Sequence, residues 1–404
     1  MQLNHWKNHI AKIMSKKNIL ILDGSSSQAL PLIRAFRKSG YHITIIIPHR
    51  FCSGSLSRYV NKTIKFPISA NFDNSLEWLK KYLSDGKTDL ILGLSDKTAW
   101  FLSENKKELS RFTQIIAPDF DVFSIAADKQ KTMQFCMKNR IPCPYTIDDG
   151  NLNIQEIETQ IQFPVIIKPK IGVGSMGVFR YDEANSLKKD YLVKRDVYGP
   201  LIIQEYVPNE KQYTVEVFCD SESDLKACVV VEKSRYYPIK GGTSSCNVTV
   251  KSAEIVSIVS YFLKKLKWVG SANLDVIWDP RDNTPKIIEI NPRTGAMIRI
   301  AFEAGVDIAE LTLQLAFKNE VSNSLDYKEG VVLRNLPLET FWLFSSPLKH
   351  WFQTKPSFLN VFGRKIFLEN TRLDDPLTGI GYVLGLLIKF CNIKNLKSKF
   401  SRRD

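Results

Sequence analysis

Two acidic side chains, Asp275 and Glu289, and a carboxamide, Asn291, stand in the segments SANLDVIWD and PKIIEINP, whose branched and apolar residues predict neighbouring strands. Side chains alternate along a strand, so Glu289 and Asn291 share a face, with Arg293 two residues farther along it and Asp275 available from the next strand. Oxygen donors on rigid strands suit Mg²⁺ (or Mn²⁺), which meets nucleotide phosphates through one or two carboxylates and keeps several waters. Arg293 can offset the charge of a transferring phosphoryl group. A structural salt-bridge cluster is the plainer alternative, but a buried Glu-Asn-Arg face with nothing to bind is less economical.

A second set lies upstream in IIKPKIGVGSMGVFRY, where Lys168 ends a strand and Gly172, Gly174, Ser175 and Gly177 form a loop after it. A lysine beside such a loop can hold phosphate oxygens by charge while bare N–H groups close over them, and an ordinary hairpin turn explains the segment as well. The run from Gly172 to Gly177 matches GxGxxG, yet a strand rather than a helix is expected after it, which argues against a dinucleotide-binding turn. Farther on, Gln204-Glu205-Tyr206-Val207 ends a strand as a hinge whose backbone can read an adenine edge. Short acidic-aromatic strand ends also occur in purely structural roles.

The elements that must position these groups fall into three parts. NILILDGSSSQALPLIRAFRKSGYHITIII reads as strand, turn, amphipathic helix and strand, and TDLILGLS adds a third strand. This predicts an open parallel α/β sheet over 1–118, with the loops Asp23–Gln28 and Ser95–Thr98 at strand carboxyl ends. A helix over 128–140 and the proline-marked IPCPYT lead into an α+β unit over 119–319, with helices over 184–194 and 252–266 and another after Ala296. A small C-terminal unit with a basic tail is expected over 320–404.

Among the 404 residues, lysine and arginine outnumber aspartate and glutamate by 56 to 42, a formal charge of +14 that favours anionic partners without choosing among them. No zinc-finger spacing or RNA-recognition motif accompanies the charge, so no specific nucleic-acid partner is expected. Seven scattered cysteines without a CxxC pair fit a reduced, cytoplasmic setting. The N-terminal MQLNHWKNHIAKIMSKK lacks the apolar core and cleavage site of a secretory signal, and reads as a short helix or loose arm. No apolar stretch reaches the length of a spanning helix. The final LTGIGYVLGLLIKFCNIKNLKSKFSRRD reads two ways: a helix lying on the inner face of a membrane with Lys389, Lys394, Lys397, Lys399, Arg402 and Arg403 toward anionic lipid, or a core-packing helix with a solvated tail.

Taken in order, DKQKT, FPVIIKPK with its glycine loop, QEYV, NLDVIWD and EINPR resemble the ATP-grasp superfamily, in its branch of carbamoyl-phosphate-synthetase-like and amino-acid ligases, over about Ile19 to Asn319. The resemblance implies ATP phosphates at Lys129 and Lys168, a loop of Gly174, Ser175, Met176 and Gly177 over the β- and γ-phosphates, and adenine at Glu205, Tyr206 and Val207 with Gln204 beside them. It implies metal at Asp275, Glu289 and Asn291, with Arg293 near the γ-phosphate and Lys168 assisting transfer. Where the family has a ribose-binding acid this chain has Gln212, with Glu210 nearby as a substitute. Lys233, Arg235, Gly242, Thr243 and Ser244 resemble the region that holds the carboxylate substrate, and a plain exposed hairpin accounts for them too. The implied activity is carboxylate–amine ligation through an acyl phosphate, acting on an amino acid or a cell-envelope or polysaccharide precursor. The expected partners are ATP, a small carboxylate and an amine, with homodimerisation left open. A carboxylate–thiol ligase, an ATP-grasp kinase and a non-catalytic nucleotide-binding module are the rivals.

Overall fold

The computed structural model describes residues 17–48, 52–66, 72–147, 152–172, 177–208, 211–239, 242–318, 320–360, 362–369 and 372–391, with side chains described as far as Leu384. The N-terminal arm, Gly174, Ser175, Met176, Glu210, Gly241 and the basic tail lie outside the described residues. The chain divides into two compact units, Met1–Ile116 with Asn370–Asp404, and Ala117–Glu369.

In the first unit the apolar runs NILI and HITIII become β1 (Asn18–Ile21) and β2 (His42–Ile47), joined by α1 (Ala29–Lys38). With β3 (Lys62–Lys65), β4 (Leu90–Leu92) and β5 (Gln114–Ile115) they make a parallel sheet in the order β3-β2-β1-β4-β5. Ile19, Leu20, Ile21, Ile43 and Ile45 are buried, as strands covered on both faces require. The expected loops do meet at the strand ends. The Asp23 carboxylate accepts the amides of Leu94 and Ser95 at 2.7 and 3.1 Å, together with the Thr98 hydroxyl.

The second unit holds two sheets. The smaller is antiparallel, β6 (Thr146–Ile147), β9 (Leu201–Glu205), β7 (Val165–Pro169) and β8 (Phe179–Tyr181) in that order, around a core of Ile147, Val165, Ile167, Leu187 and Ile203. The larger runs β14 (Thr284–Asn291), β13 (Gly270–Asp279), β10 (Gln212–Cys219), β11 (Leu225–Tyr237), β12 (Thr243–Thr249), β15 (Val332–Arg334) and β16 (Ile366–Leu368). The helix read over 128–140 is α2 (Lys129–Lys138), capped by the Asp128 carboxylate. The one over 184–194 runs on as α3 (Ala184–Tyr198), and α4 (Ala253–Leu266), capped by Ser252, packs on β11 and β14. Then α5 (Ile298–Ala304) and α6 (Ile308–Phe317) close a core with Phe218, Val229 and Val231.

The stretch read as a separate C-terminal unit over 320–404 is divided instead. β15 pairs with β12 and β16 with β15, so residues up to Glu369 complete the large sheet. The next residues join the first unit, where Asp375 accepts the Ser57 hydroxyl at 2.6 Å and the Arg34 guanidinium at 3.4 Å. Too few apolar residues remain in either piece to close a core of its own, so each is buried against an existing sheet unit. Among the described residues no helix is long and apolar enough to cross a membrane.

Candidate active site

Alternation along three neighbouring strands of the large sheet builds one polar patch. Thr214 pairs with Asp275 and Glu216 with Asn273 between β10 and β13, and Asn273 pairs with Asn291 and Asp275 with Glu289 between β13 and β14. Cross-strand partners share a face, so six polar side chains from SANLD, IIEIN and YTVEV point the same way. The register depends on one irregularity between Asp275 and Val276. Val276 faces Ile287 and Asp275 faces Glu289, so Ile288 is an extra residue without a partner, the arrangement of a β-bulge.

Three lysines from different elements converge on the two carboxylates. Lys233 of β11 meets Asp275 at 2.7 Å, and Lys129, at the start of α2, meets Glu289 at 3.2 Å. The ammonium of Lys168, near the end of β7, donates to the Ile288 carbonyl at 3.4 Å, the residue outside the ladder register. Burial pushes Lys168 down to about 8; Glu289 and Asp275 oppose that shift and Lys129 adds to it. Burial also raises Asp275 despite Lys233. For Glu289 burial acts the same way, but Lys129, Lys168 and Lys233 together outweigh it and hold the carboxyl below its ordinary range.

The glycine loop is rooted beside these cations. Lys129 donates its backbone N–H to Lys170 at 3.0 Å and its ammonium to the Gly172 carbonyl at 2.8 Å. Gly177, at φ +73°, sits where an added Cβ comes within 2.8 Å of Tyr198 and 2.9 Å of Pro169, so a side chain is excluded by both conformation and space.

The hinge is knitted into the protein more tightly than the sequence suggests. Gln204 is buried with its amide on the Thr146 hydroxyl at 2.8 Å, and the amides of Glu205 and Tyr206 donate to the carbonyls of Tyr145 and Pro164 at 2.9 and 3.0 Å. The Glu205 carboxylate meets Arg281 at 3.4 Å and Lys286 at 3.6 Å. The Tyr206 ring lies under the Arg180 guanidinium, 4.1 Å from its centroid, while Val207 is buried. Gln212, at the start of β10, accepts the Tyr236 hydroxyl at 3.4 Å.

The residues expected to hold a carboxylate substrate separate. Lys233 belongs to the charged patch. Arg235 is 2% exposed, donates from Nε to Glu339 at 2.7 Å and also meets the Pro356 carbonyl, so its fork is spent inside the protein. Ser244 is buried against Asn247 at 2.5 Å. Gly242 packs where a Cβ meets the Tyr237 carbonyl at 2.5 Å, and Thr243 is exposed.

Glu216 was missed in the sequence reading. Its side chain is 1% exposed; Oε2 accepts the Gly295 amide at 3.1 Å and Oε1 is buried without a hydrogen-bond partner. Burial pushes its carboxyl up to about 8 against the pull of the Gly295 amide and Arg293. A Cβ on Gly295 would fall 1.9 Å from Glu216 Oε1, so carboxylate and glycine fit together and fix the turn that carries Arg293. The signal was available: an acid at every-other-residue spacing from Thr214 in an otherwise apolar strand.

Among the described residues no group of three histidines, cysteines or acids could hold a metal by itself. Asp275, Glu289 and Asn291 nevertheless fit Mg²⁺, which takes a few hard oxygen donors from the protein and the rest from phosphate and water. Each carboxylate is already balanced by a lysine that a bound polyphosphate could take over.

The second unit holds an ATP-grasp domain. Residues 126–297 match the family model of the ATP-grasp domain. The chain is 22% identical over 337 residues to the D-aspartate ligase of Enterococcus faecium (strain Aus0004), covering 75% of this chain and 77% of that protein. To the D-alanine--D-alanine ligase of Pelagibacter ubique (strain HTCC1062) it is 24% identical over 250 residues, 61% of this chain and 70% of that one. The biotin carboxylase domain of the Hydrogenobacter thermophilus 2-oxoglutarate carboxylase, solved with MgADP, ADP and bicarbonate, shares the fold at a TM-score of 0.64 and 18% identity, over 78% of this chain and 73% of that chain.

Proposed function

We propose that this chain is an ATP-dependent carboxylate–amine ligase that forms an amide through an acyl phosphate, acting on an amino acid or an amino-acid-bearing envelope precursor. The observation that carries the reading is the convergence of Lys129, Lys168 and Lys233 on the facing carboxylates Asp275 and Glu289. Such a set suits a metal–polyphosphate: the cations take the phosphate oxygens, and the carboxylates with Asn291 hold Mg²⁺. When bound, the metal neutralises charge on the β- and γ-phosphates. The two ligase relatives support an amino-acid substrate.

In this reading a substrate carboxylate oxygen bonds to the γ-phosphorus as the bridge to the β-phosphate breaks, and ADP leaves. An amine then attacks the acyl carbon, loses a proton and expels phosphate. Lys168 and Arg293 hold the transferring group. Gln212 at the start of β10 and Tyr236 of β11, which bonds it at 3.4 Å, supply hydroxyl-binding groups for the ribose, while Lys233 is the positioned cation for the carboxylate.

The test is ADP release across pooled carboxylates and amines, with mass spectrometry of the product. An amide formed with one ADP per bond supports ligation. A phosphorylated product that accumulates whatever amine is supplied replaces it with a kinase.

A further inference from the structure

One face of the second unit turns apolar side chains outward. In α7 (Leu336–Ser345), Glu339 and Trp342 are buried while Phe341 and Phe344, three residues apart, are exposed. In α8 (Leu348–Gln353), Leu348 and Phe352 are exposed four residues apart, and Leu359 and Phe362 follow. Phe344, Phe352 and Phe362 are 78%, 77% and 87% exposed, far more than scattered surface hydrophobics need.

A rigid base carries this face. Glu339, fully buried, accepts Arg334 and Arg235 on its two oxygens, and the Arg334 guanidinium reaches the carbonyls of Asn360 and Phe358 at 2.5 and 2.8 Å. Trp342 and Phe358 stack beneath, with ring centroids 6.2 Å apart. The outward aromatics therefore sit on a segment held by a buried ion cluster, where a loose loop would let them fold inward.

Charge selects what covers them. From Thr340 to Leu368 the sequence has no aspartate or glutamate, and Lys349, Lys355, Arg364 and Lys365, in the same stretch as the aromatics, are all exposed. A second copy would bring the same cations face to face, in a chain already at +14. A surface of anionic lipid complements both properties, with aromatics entering the headgroup boundary and lysines and arginines meeting phosphates. We infer that this α7–α8 face docks the protein on an anionic membrane surface. It is distinct from the basic tail and independent of the ligase reading.

The experiment is co-sedimentation of the full-length chain with phosphatidylcholine vesicles, with and without phosphatidylglycerol. Wild type should bind only the anionic vesicles and be released by salt. The triple variant Phe344→Ser, Phe352→Ser, Phe362→Ser should bind at least about tenfold more weakly, as should Lys349→Glu with Lys355→Glu and Arg364→Glu. ATP binding serves as the folding control. Three results overturn the inference: no binding by wild type, unchanged binding by both variants, which assigns the affinity to another segment, or a wild-type dimer in sedimentation velocity that the triple variant loses.

Discussion

Asp275 and Glu289 are direct cross-strand partners, and each is neutralised by a lysine from a different element, Lys233 at 2.7 Å and Lys129 at 3.2 Å. Two carboxylates so placed repel each other unless cations or a metal sit between them and the substrate phosphates. In the proposed reading the pair meets a ligand with both signs of charge.

Glu289→Ala should therefore lower ligation about 100-fold or more, by removing one carboxylate of the pair, while the hydrophobic side of β14 stays intact. ADP release by the purified variant, read beside its thermal midpoint, checks this. A wild-type rate would remove Glu289 from the metal site.

Burial disfavours the charge of Lys168 and pushes it down to about 8, below the ordinary lysine range. Phosphate binding pulls that value back up. ATP binding should then take up a fraction of a proton near pH 8 and almost none near pH 6, where Lys168 is already charged. Calorimetry in buffers of different ionisation enthalpy reads the uptake. Lys168→Ala should abolish it and weaken ATP more than adenosine.

Glu216 carries the opposite shift, with its carboxyl raised to about 8. The folded state keeps a proton that the unfolded chain gives up above about pH 4.5, so this group's contribution to stability falls as pH rises from there through 8. Glu216→Gln keeps an acceptor for Gly295 and removes the charge. It should flatten that decline, with a gain on the order of a few kcal/mol near pH 8 and none near pH 4. Melts across that range check it, and Glu216→Ala should lower kcat by loosening the Arg293 turn.

Glu339→Ala leaves Arg235 and Arg334 buried without their shared acceptor and should cost about 3–5 kcal/mol in denaturant unfolding. Lys233→Ala should change stability far less and act instead on ligation. An Arg235→Lys variant that keeps full stability but loses carboxylate affinity would return Arg235 to the substrate site.

The period-two alternation of EIN was enough to place Glu289 and Asn291 on one face, and the order of motifs to put Lys168 beside a glycine run, because both are local properties of the backbone; Arg293 lies beyond the strand, in the bend after Asn291, where alternation no longer applies. Arg235 shows where locality ends. Its neighbours Glu339 and Pro356 are 104 and 121 residues away, so nothing near it in the chain distinguishes a buried structural fork from a substrate-binding one. The division of the C-terminal stretch was hidden for the same reason, since β15 and Asp375 find their partners in strands and loops far upstream.

The sequence by itself singled out candidate side chains for phosphate and metal chemistry. Whether Asp275 joins Glu289 was decided only in three dimensions. Counted back from the turn after Asp279, a regular hairpin sets Asp275 opposite Ile288, on the face away from Glu289. The extra residue in β14 advances the register by one, brings the two carboxylates onto one face and leaves Ile288 without a cross-strand partner, its carbonyl accepting Lys168. A one-residue shift is invisible to alternation within either strand, because it is a property of the pair.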